Sequence, residues 1–135
     1  MYDATEGKWF VRAQMNRSRS FHDLVSPRGY LYALGGAEMR NGELTSIQDT
    51  VERYCPKANE WTLVRSLQLP CWGLRAAVNT QKHDGSSDEV YIVGKFHIDS
   101  GYVTVAKLTV QDDIFFLSSV DFGFGNRIQA GIVLL

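Results

Sequence analysis

The chain has 135 residues, of which 44% are hydrophobic and 21% are charged, a composition that excludes a disordered chain. Fourteen basic and fifteen acidic residues leave a net charge of −1, which gives nucleic-acid binding no electrostatic support. Polar residues follow Met1, no apolar run has the length of a membrane helix, and Cys55 and Cys71 are too few for a disulfide framework. We therefore expect reduced thiols and a cytoplasmic or nuclear location, away from membranes.

Short apolar runs of strand length recur along the chain, separated by turn residues, and helical periodicity is scarce. The predicted strands cover residues 5–14 or a part of it, 23–26, 30–34, 50–54, 60–64, 74–79, 89–93, 102–110, 114–118 and 128–134. The predicted turns are Pro27-Arg28-Gly29, Asn41-Gly42, residues 56–59 and Asp84-Gly85. Ten short strands without helices predict an all-β fold.

A pair of large apolar residues, seven positions apart, occurs twice as Tyr and Trp and a third time in degraded form. The pairs are Tyr2 and Trp9, Tyr54 and Trp61, and Leu108 and Phe115. Successive copies are 52 and 54 residues apart. Self-similarity at a period near 50 residues indicates the blades of a β-propeller. In each copy we expect the pair to bracket the hairpin between the third and fourth strands of a blade.

Glycines end two of the apolar runs. Residues 31–34 lead into Gly35 and Gly36, and residues 91–93 lead into Gly94. In a blade the second strand would end here, where glycine permits a close backbone approach and a positive φ. We therefore assign these glycines, with the two Tyr–Trp pairs, to the structural motif of the repeat.

With these residues the sequence resembles kelch repeats, and more narrowly those of the kelch-like adaptor proteins. Residues 15–22 lead into 30–36, then 50–54 and 59–61, in the order of one kelch unit with a long insertion after the glycines. The resemblance implies a partial kelch-type β-propeller of four-stranded antiparallel blades. Its predicted segments are 1–22, the last two strands of an incomplete blade; 23–66, a blade with a long insertion loop; 67–118, a degenerate blade; and 119–135, a divergent tail with the opening strand of a further blade.

The length of the chain limits the number of blades. Closed propellers use about four to eight blades, and at roughly 50 residues per unit the chain supplies fewer than three. An uncovered blade face and an open strand edge would result, which favours aggregation. We therefore expect a fragment, a truncated isoform or a partial gene model of a larger adaptor; a small propeller closed by self-association is the alternative.

The resemblance also implies a function. It implies a protein-protein interaction module, part of the substrate-recognition propeller of a cullin-RING ubiquitin ligase adaptor. Cullin would be reached only through a BTB domain, and this sequence has no BTB-like helical segment. The alternatives are an actin or cytoskeleton-binding kelch protein and a fragment of a propeller enzyme such as a sugar oxidase or epimerase. Because we find no catalytic constellation and no metal-ligand spacing, we predict no enzyme activity, no metal and no cofactor.

Propeller partners dock on the loops that link one blade to the next and on those after the glycines, which here are residues 15–22, 67–73, 37–47 and 95–100. The predicted partner-binding residues in them are Arg17, Arg19, Ser20, Arg40, Asn41 and Trp72. Arginine forks pair with carboxylates, and tryptophan anchors interfaces, so an acidic protein segment is the expected ligand. The alternative is that the arginines are solvated or hold loops together, that the tryptophan packs between blades, and that residues 40–41 form only a turn.

Overall fold

The structure, a computed structural model, describes residues 1–64, 66–67, 70–79, 88–96, 103–111 and 114–119. These residues form one short 3-10 turn, η1 (Pro27–Gly29), and twelve strands. The strands are β1 (Tyr2–Asp3), β2 (Lys8–Trp9), β3 (Asp23–Val25), β4 (Leu31–Leu34), β5 (Ala37–Arg40), β6 (Glu43–Ile47), β7 (Val51–Cys55), β8 (Glu60–Leu63), β9 (Cys71–Asn79), β10 (Asp88–Phe96), β11 (Val103–Gln111) and β12 (Ile114–Ser119). The all-β prediction is confirmed; the predicted strand at 128–134 and the turn at Asp84-Gly85 lie outside the described residues.

The strands form two four-stranded antiparallel sheets, β3-β4-β7-β8 and β9-β10-β11-β12, and two two-stranded sheets, β1-β2 and β5-β6. Each four-stranded sheet is a meander of the kind that makes a propeller blade. Their first strands lie against each other, and the backbone N–H of Ala76 in β9 donates to Asp23 Oδ2 in β3 at 2.7 Å. The predicted partial propeller is therefore confirmed as the fold class.

The two blades share one hydrophobic core. Its buried residues come from five strands and the linker between the blades: Val25, Tyr32, Leu34, Val51, Leu67, Cys71, Leu74, Val90 and Ile92. Leu34, Leu74 and Ile92 have no exposed surface. Burial of a side chain of this size contributes about 1.5–3 kcal/mol, so contacts between the blades hold this part of the chain together.

In each outer hairpin, the register places the tyrosine of the pair directly opposite its tryptophan. Tyr2 is opposite Trp9 and Tyr54 is opposite Trp61, with ring centroids 5.3 and 5.1 Å apart. Their surroundings differ, because Tyr54 is buried whereas Trp9 is 79% exposed. The two pairs therefore have the same hairpin geometry, and only the second is packed into the described part of the molecule.

The third pair, Leu108 and Phe115, lies on β11 and β12, the third and fourth strands of its sheet, as the repeat predicts, but the two residues are not directly opposite each other. Leu108 lies opposite Leu117, and the residues seven apart that face each other are Thr109 and Phe116. Gln111 pairs with Ile114, so two residues separate β11 from β12, whereas four residues separate the paired ends of β1 and β2 and of β7 and β8. The partner of Leu108 is therefore offset by two residues from the one that the other hairpins would give.

The glycines after β4 allow two other segments to approach the strand end. Gly35 and Gly36 have φ values of 54° and 99°. A Cβ on Gly35 would lie 2.6 Å from the Cys71 carbonyl oxygen, and one on Gly36 would lie 2.8 Å from that of Ser20. At Gly94, a Cβ would lie 2.8 Å from Leu74 Cβ. Side chains at Gly35 and Gly36 would push the following blade and residues 15–22 away from the end of β4, and a side chain at Gly94 would push β9 away from β10 within their own sheet.

The insertion after the glycines, predicted as a loop, is a β-hairpin formed by β5 and β6. Asn41 and Gly42 form its turn with φ values of 53° and 84°, the positive values that a type I′ turn requires. At its base, the N–H of Ser20 donates to the Ala37 carbonyl at 2.7 Å, and the N–H of Ala37 donates to the Ser20 carbonyl at 2.8 Å. The hairpin is therefore joined at its base to the 15–22 segment.

Candidate protein-binding surface

Three segments meet at the end of β4 and form a surface that we call the loop face: residues 15–22, the β5–β6 hairpin, and residues 67 and 70–73. Gln48 connects them. Its side-chain amide donates to the Ser18 carbonyl at 2.9 Å, its N–H donates to Gly36 at 2.8 Å, and its own carbonyl accepts from Cys71 N–H at 3.1 Å. These bonds hold the three segments at a fixed spacing.

Arg19 belongs to the interior of this region rather than to its surface. The residue is 6% exposed, and its guanidinium donates to Glu52 Oε1 at 2.7 Å. It also donates to the carbonyls of Gly35 at 2.7 Å and Thr50 at 2.9 Å. The alternative role, an arginine that holds loops together, therefore fits this geometry, and we leave Arg19 out of the proposed contact surface.

Glu52, the partner of Arg19 in the ion pair, also binds the backbone of the 15–22 segment. Its buried carboxylate accepts from the N–H of Asn16 at 2.6 Å, the Asn16 side chain at 2.9 Å and the N–H of Arg17 at 3.0 Å. Burial alone would raise the pKa of Glu52, but the hydrogen bonds from Arg19, Asn16 and the Arg17 backbone outweigh it and hold the pKa below its usual range. The segment is therefore held by a charged carboxylate.

Arg17, unlike Arg19, is exposed. Its backbone N–H is bound to Glu52, while its guanidinium has no hydrogen-bond or ion-pair partner among the described residues. Arg17 lines a polar cavity of about 260 Å³, whose other walls are Asn16, Ser18, Glu38, Ser46 and Gln48. An unpaired guanidinium can form a charge-assisted pair with a carboxylate, and because the backbone is already fixed, only the side chain has to be ordered on binding.

The predicted residues of the hairpin have partners or turn roles of their own. The Nε and Nη2 atoms of Arg40 both donate to Glu38 Oε1, at 3.0 and 2.9 Å, so its fork is already paired. Asn41 is exposed at the turn, and Ser20 is half-buried with its backbone bound to β5. Of the six predicted contact residues, five lie on or beside the loop face and Arg19 lies beneath it.

Trp72 lies at the start of β9 and packs against a residue that the sequence did not single out. Its ring is edge-to-face with Phe21, with centroids 6.0 Å apart. Phe21 is 53% exposed and has a φ of 56°, and its carbonyl accepts from Gly73 N–H at 2.9 Å. A bulky residue in the left-handed region is uncommon. The aromatic pair thus lies between the two blades and is partly open to solvent.

A second cavity, of about 360 Å³, lies on the hairpin. Its lining residues are Leu44, Thr45, Ser46, Ile47 and Pro70. The sequence did not predict this cavity, because the insertion was predicted as a loop. Part of the hairpin signal was present, because an Asn-Gly pair preceded by alternating apolar and polar residues, here 37–40, is typical of a two-residue hairpin.

Comparison with known proteins agrees with this geometry. The family profile described as "Kelch motif" matches residues 18–68, which include the glycine pair, Glu52 and the Tyr54–Trp61 hairpin. This is a kelch-repeat protein. The resemblance predicted from the glycines and the aromatic pairs is confirmed.

The relatives of this kelch-repeat protein are much longer chains. Kelch-like protein 26 of Danio rerio is 38% identical over 99 residues, 72% of this chain and 14% of that protein. Human Kelch repeat and BTB domain-containing protein 2 is 42% identical over 78 residues, 57% of this chain and 12% of that protein. Alpha-scruin of Limulus polyphemus is 29% identical over 79 residues, 58% of this chain and 8% of that protein. Within the described part of the chain, no helix has the length and apolar character of a membrane span.

Proposed function

We propose that this kelch-repeat chain is a protein-binding module and that it contributes part of the substrate-recognition propeller of a cullin-RING ubiquitin ligase adaptor in the cytoplasm or nucleus. The observation that carries the proposal is the loop face. Its backbone is held by Glu52 and Arg19, while Arg17 projects an unpaired guanidinium beside the hairpin. The names of the relatives, kelch-like and kelch repeat and BTB domain-containing, support the adaptor part of the proposal.

The proposed role is binding rather than catalysis. Rigid backbone, one unpaired positive charge and a half-exposed aromatic pair are features of a docking surface, where a few anchors provide most of the affinity. A partner with a carboxylate would reach Arg17, and an aromatic or aliphatic side chain of the partner would contact Phe21 and Trp72.

The binding role is tested by capture with matched charge-reversal variants. The chain, Arg17→Glu and Lys57→Glu are expressed in cells as tagged proteins and their captured partners are compared. Lys57 is an exposed lysine in the turn between β7 and β8, away from the loop face. We expect a partner set that Lys57→Glu retains and Arg17→Glu loses. Equal capture by all three would show that the loop face does not bind.

The ligase role is tested by the lifetime of a captured partner. A chain that occupies the partner without recruiting cullin should protect it from ubiquitination by the complete adaptor. We expect the half-life of the partner to rise when the chain is expressed and to stay unchanged with Arg17→Glu. An unchanged half-life with retained capture would reject the ligase role and leave the binding role standing.

A cytoskeletal partner is the second proposal, and the similarity to alpha-scruin is the reason to keep it. Co-sedimentation with actin filaments separates it from the first. Pelleting of the chain with filaments, lost in Arg17→Glu, would favour the cytoskeletal role.

A further inference from the structure

The β5–β6 hairpin is amphipathic, and a β-bulge makes it so. Residues directly opposite in an antiparallel pair have side chains on the same face. The opposite pairs are Ala37 with Ile47, Glu38 with Ser46, Met39 with Leu44 and Arg40 with Glu43. The register shifts between Glu38 and Met39, which leaves Thr45 as the extra residue of the bulge, and its hydroxyl donates to the Glu38 carbonyl at 3.0 Å.

The bulge separates the hairpin into an apolar and a polar face. The apolar face holds Ala37, Met39, Leu44 and Ile47, and the polar face holds Glu38, Arg40, Glu43 and Ser46. Without the extra residue, Leu44 and Ile47, three positions apart, would lie on opposite faces. The two cavities follow the same division, because one is lined by Arg17 and Glu38 and the other by Leu44, Ile47 and Pro70.

The outer edge of β6 lies where the two cavities meet. Ser46 lines both of them. On its inner side β6 pairs with β5, and β5 in turn is bridged to Ser20; among the described residues no strand pairs with the outer edge of β6. Its residues 43–46 are exposed. An unpaired edge of this kind is a template for an added strand.

The charged residues near this edge favour an added strand with acidic side chains on one face. Glu52 is paired with Arg19 and Glu38 with Arg40, and Glu43, on the polar face of β6, does not line the polar cavity, so Arg17 is the charged residue of the cavity wall without an ion-pair partner among the described residues. Successive residues of a strand point to opposite faces of the sheet. A strand added to β6 would therefore direct alternate side chains toward Arg17 on one face and toward the cavity of Leu44, Ile47 and Pro70 on the other.

We propose that an extended segment of a partner protein, with alternating acidic and apolar residues, adds as a third strand to the free edge of β6. Its carboxylate pairs with Arg17, its apolar side chain fills the cavity beside Leu44, and its backbone bonds to β6. This inference rests on the proposed binding role of the loop face and specifies the partner segment that it takes.

The test is direct binding of a labelled probe to the 135-residue chain. The probe is an eight-residue peptide of alternating Asp and Leu, measured by fluorescence anisotropy. One control peptide has the same composition with four Leu followed by four Asp, and two others carry N-methyl groups on one or the other alternate set of residues. We expect the alternating peptide to bind and the block peptide to bind at least about tenfold more weakly. Only the alternating order places all Asp side chains on one face of the added strand and all Leu side chains on the other. Methylation of one alternate set should abolish binding, and methylation of the other set should leave it, because only one set of amides faces β6.

Variants locate the site. Arg17→Ala and Leu44→Asp should each weaken the peptide about tenfold, because one removes a charge-assisted pair and the other places a charge beside the apolar cavity. The matched controls are Lys57→Ala and Leu63→Asp, because Leu63 is 46% exposed and Leu44 is 45% exposed. Circular dichroism checks that each variant is folded. Weak or alternation-independent binding, or equal loss in the controls, would overturn the proposal.

Two outcomes separate this inference from the proposed function. If cellular capture depends on Arg17 but the peptide does not bind, strand addition is rejected and the binding role remains. If light scattering shows a dimer that Leu44→Asp dissociates, a second copy of the chain occupies the edge, and the partner segment proposed above is rejected.

Discussion

Removal of Arg19 should destabilise the chain strongly. The substitution Arg19→Ala leaves the Glu52 carboxylate, which has no exposed surface, without its cation and removes the donors to Gly35 and Thr50. Breaking a buried ion pair by removing one partner costs about 3–5 kcal/mol. Because single domains are stable by about 5–15 kcal/mol, Arg19→Ala should lose a large part of the free energy of unfolding.

The assay is urea unfolding followed by tryptophan fluorescence, with far-UV circular dichroism to check that the transition is cooperative. Lys57→Ala, at an exposed position, is the control and should change stability by no more than about 0.5 kcal/mol. A double-mutant cycle of Arg19→Met and Glu52→Gln should give a coupling energy of about 0.5–3 kcal/mol, since the two side chains are in contact. An Arg19→Ala variant as stable as Lys57→Ala would refute the buried ion pair.

Further predictions concern the pH response, the glycines and the thiols. The pKa of Glu52 is lower in the folded state than in the unfolded state, where it is about 4.3. The contribution of Glu52 to the free energy of unfolding is therefore fully present above the unfolded pKa and is lost as the pH falls through the folded pKa. Urea unfolding at several pH values should show this loss of stability, and the loss should be smaller in Glu52→Gln. Gly36→Ala should cost more stability than Gly29→Ala, since both φ values are positive but only the first Cβ would meet another atom, at 2.8 Å; equal costs in urea would contradict this. Burial raises the pKa of Cys71 to about 12, so iodoacetamide at pH 8 should modify Cys55 first and reach Cys71 only in denaturant, as mass spectrometry of the digested protein would show.

The parts of the fold that could be predicted from the sequence are those that depend on the spacing of residues close together in the chain. Tyr54 and Trp61 are seven residues apart because they face each other across a four-residue turn, so their spacing encodes a hairpin register. Gly35 and Gly36 are needed because two other segments approach the strand end. These are short-range requirements, and a linear sequence records them directly. Leu108 and Phe115 also bracket a hairpin, but two residues instead of four separate its strands, so the same spacing does not place them directly opposite each other.

The site depended on contacts between distant residues, which spacing does not reveal. Arg17 and Arg19 look equivalent in sequence, yet one is exposed and the other lies beneath the surface beside Glu52, which is more than thirty residues away. The difference follows from the direction of each side chain once the 15–22 segment is bound to β7. The faces of the β5–β6 hairpin were missed for a different reason, because the bulge at Thr45 breaks the alternation by which a strand is recognised.

Amide hydrogen exchange of the chain, alone and with a captured partner, shows which residues the partner covers. We propose that a protein partner binds at the loop face, which the Arg19–Glu52 pair holds in place. We predict added protection in residues 15–22 and 43–47, with the turn at residues 56–59 unchanged. Protection centred on residues 56–59, with the loop face unaffected, would contradict the claim.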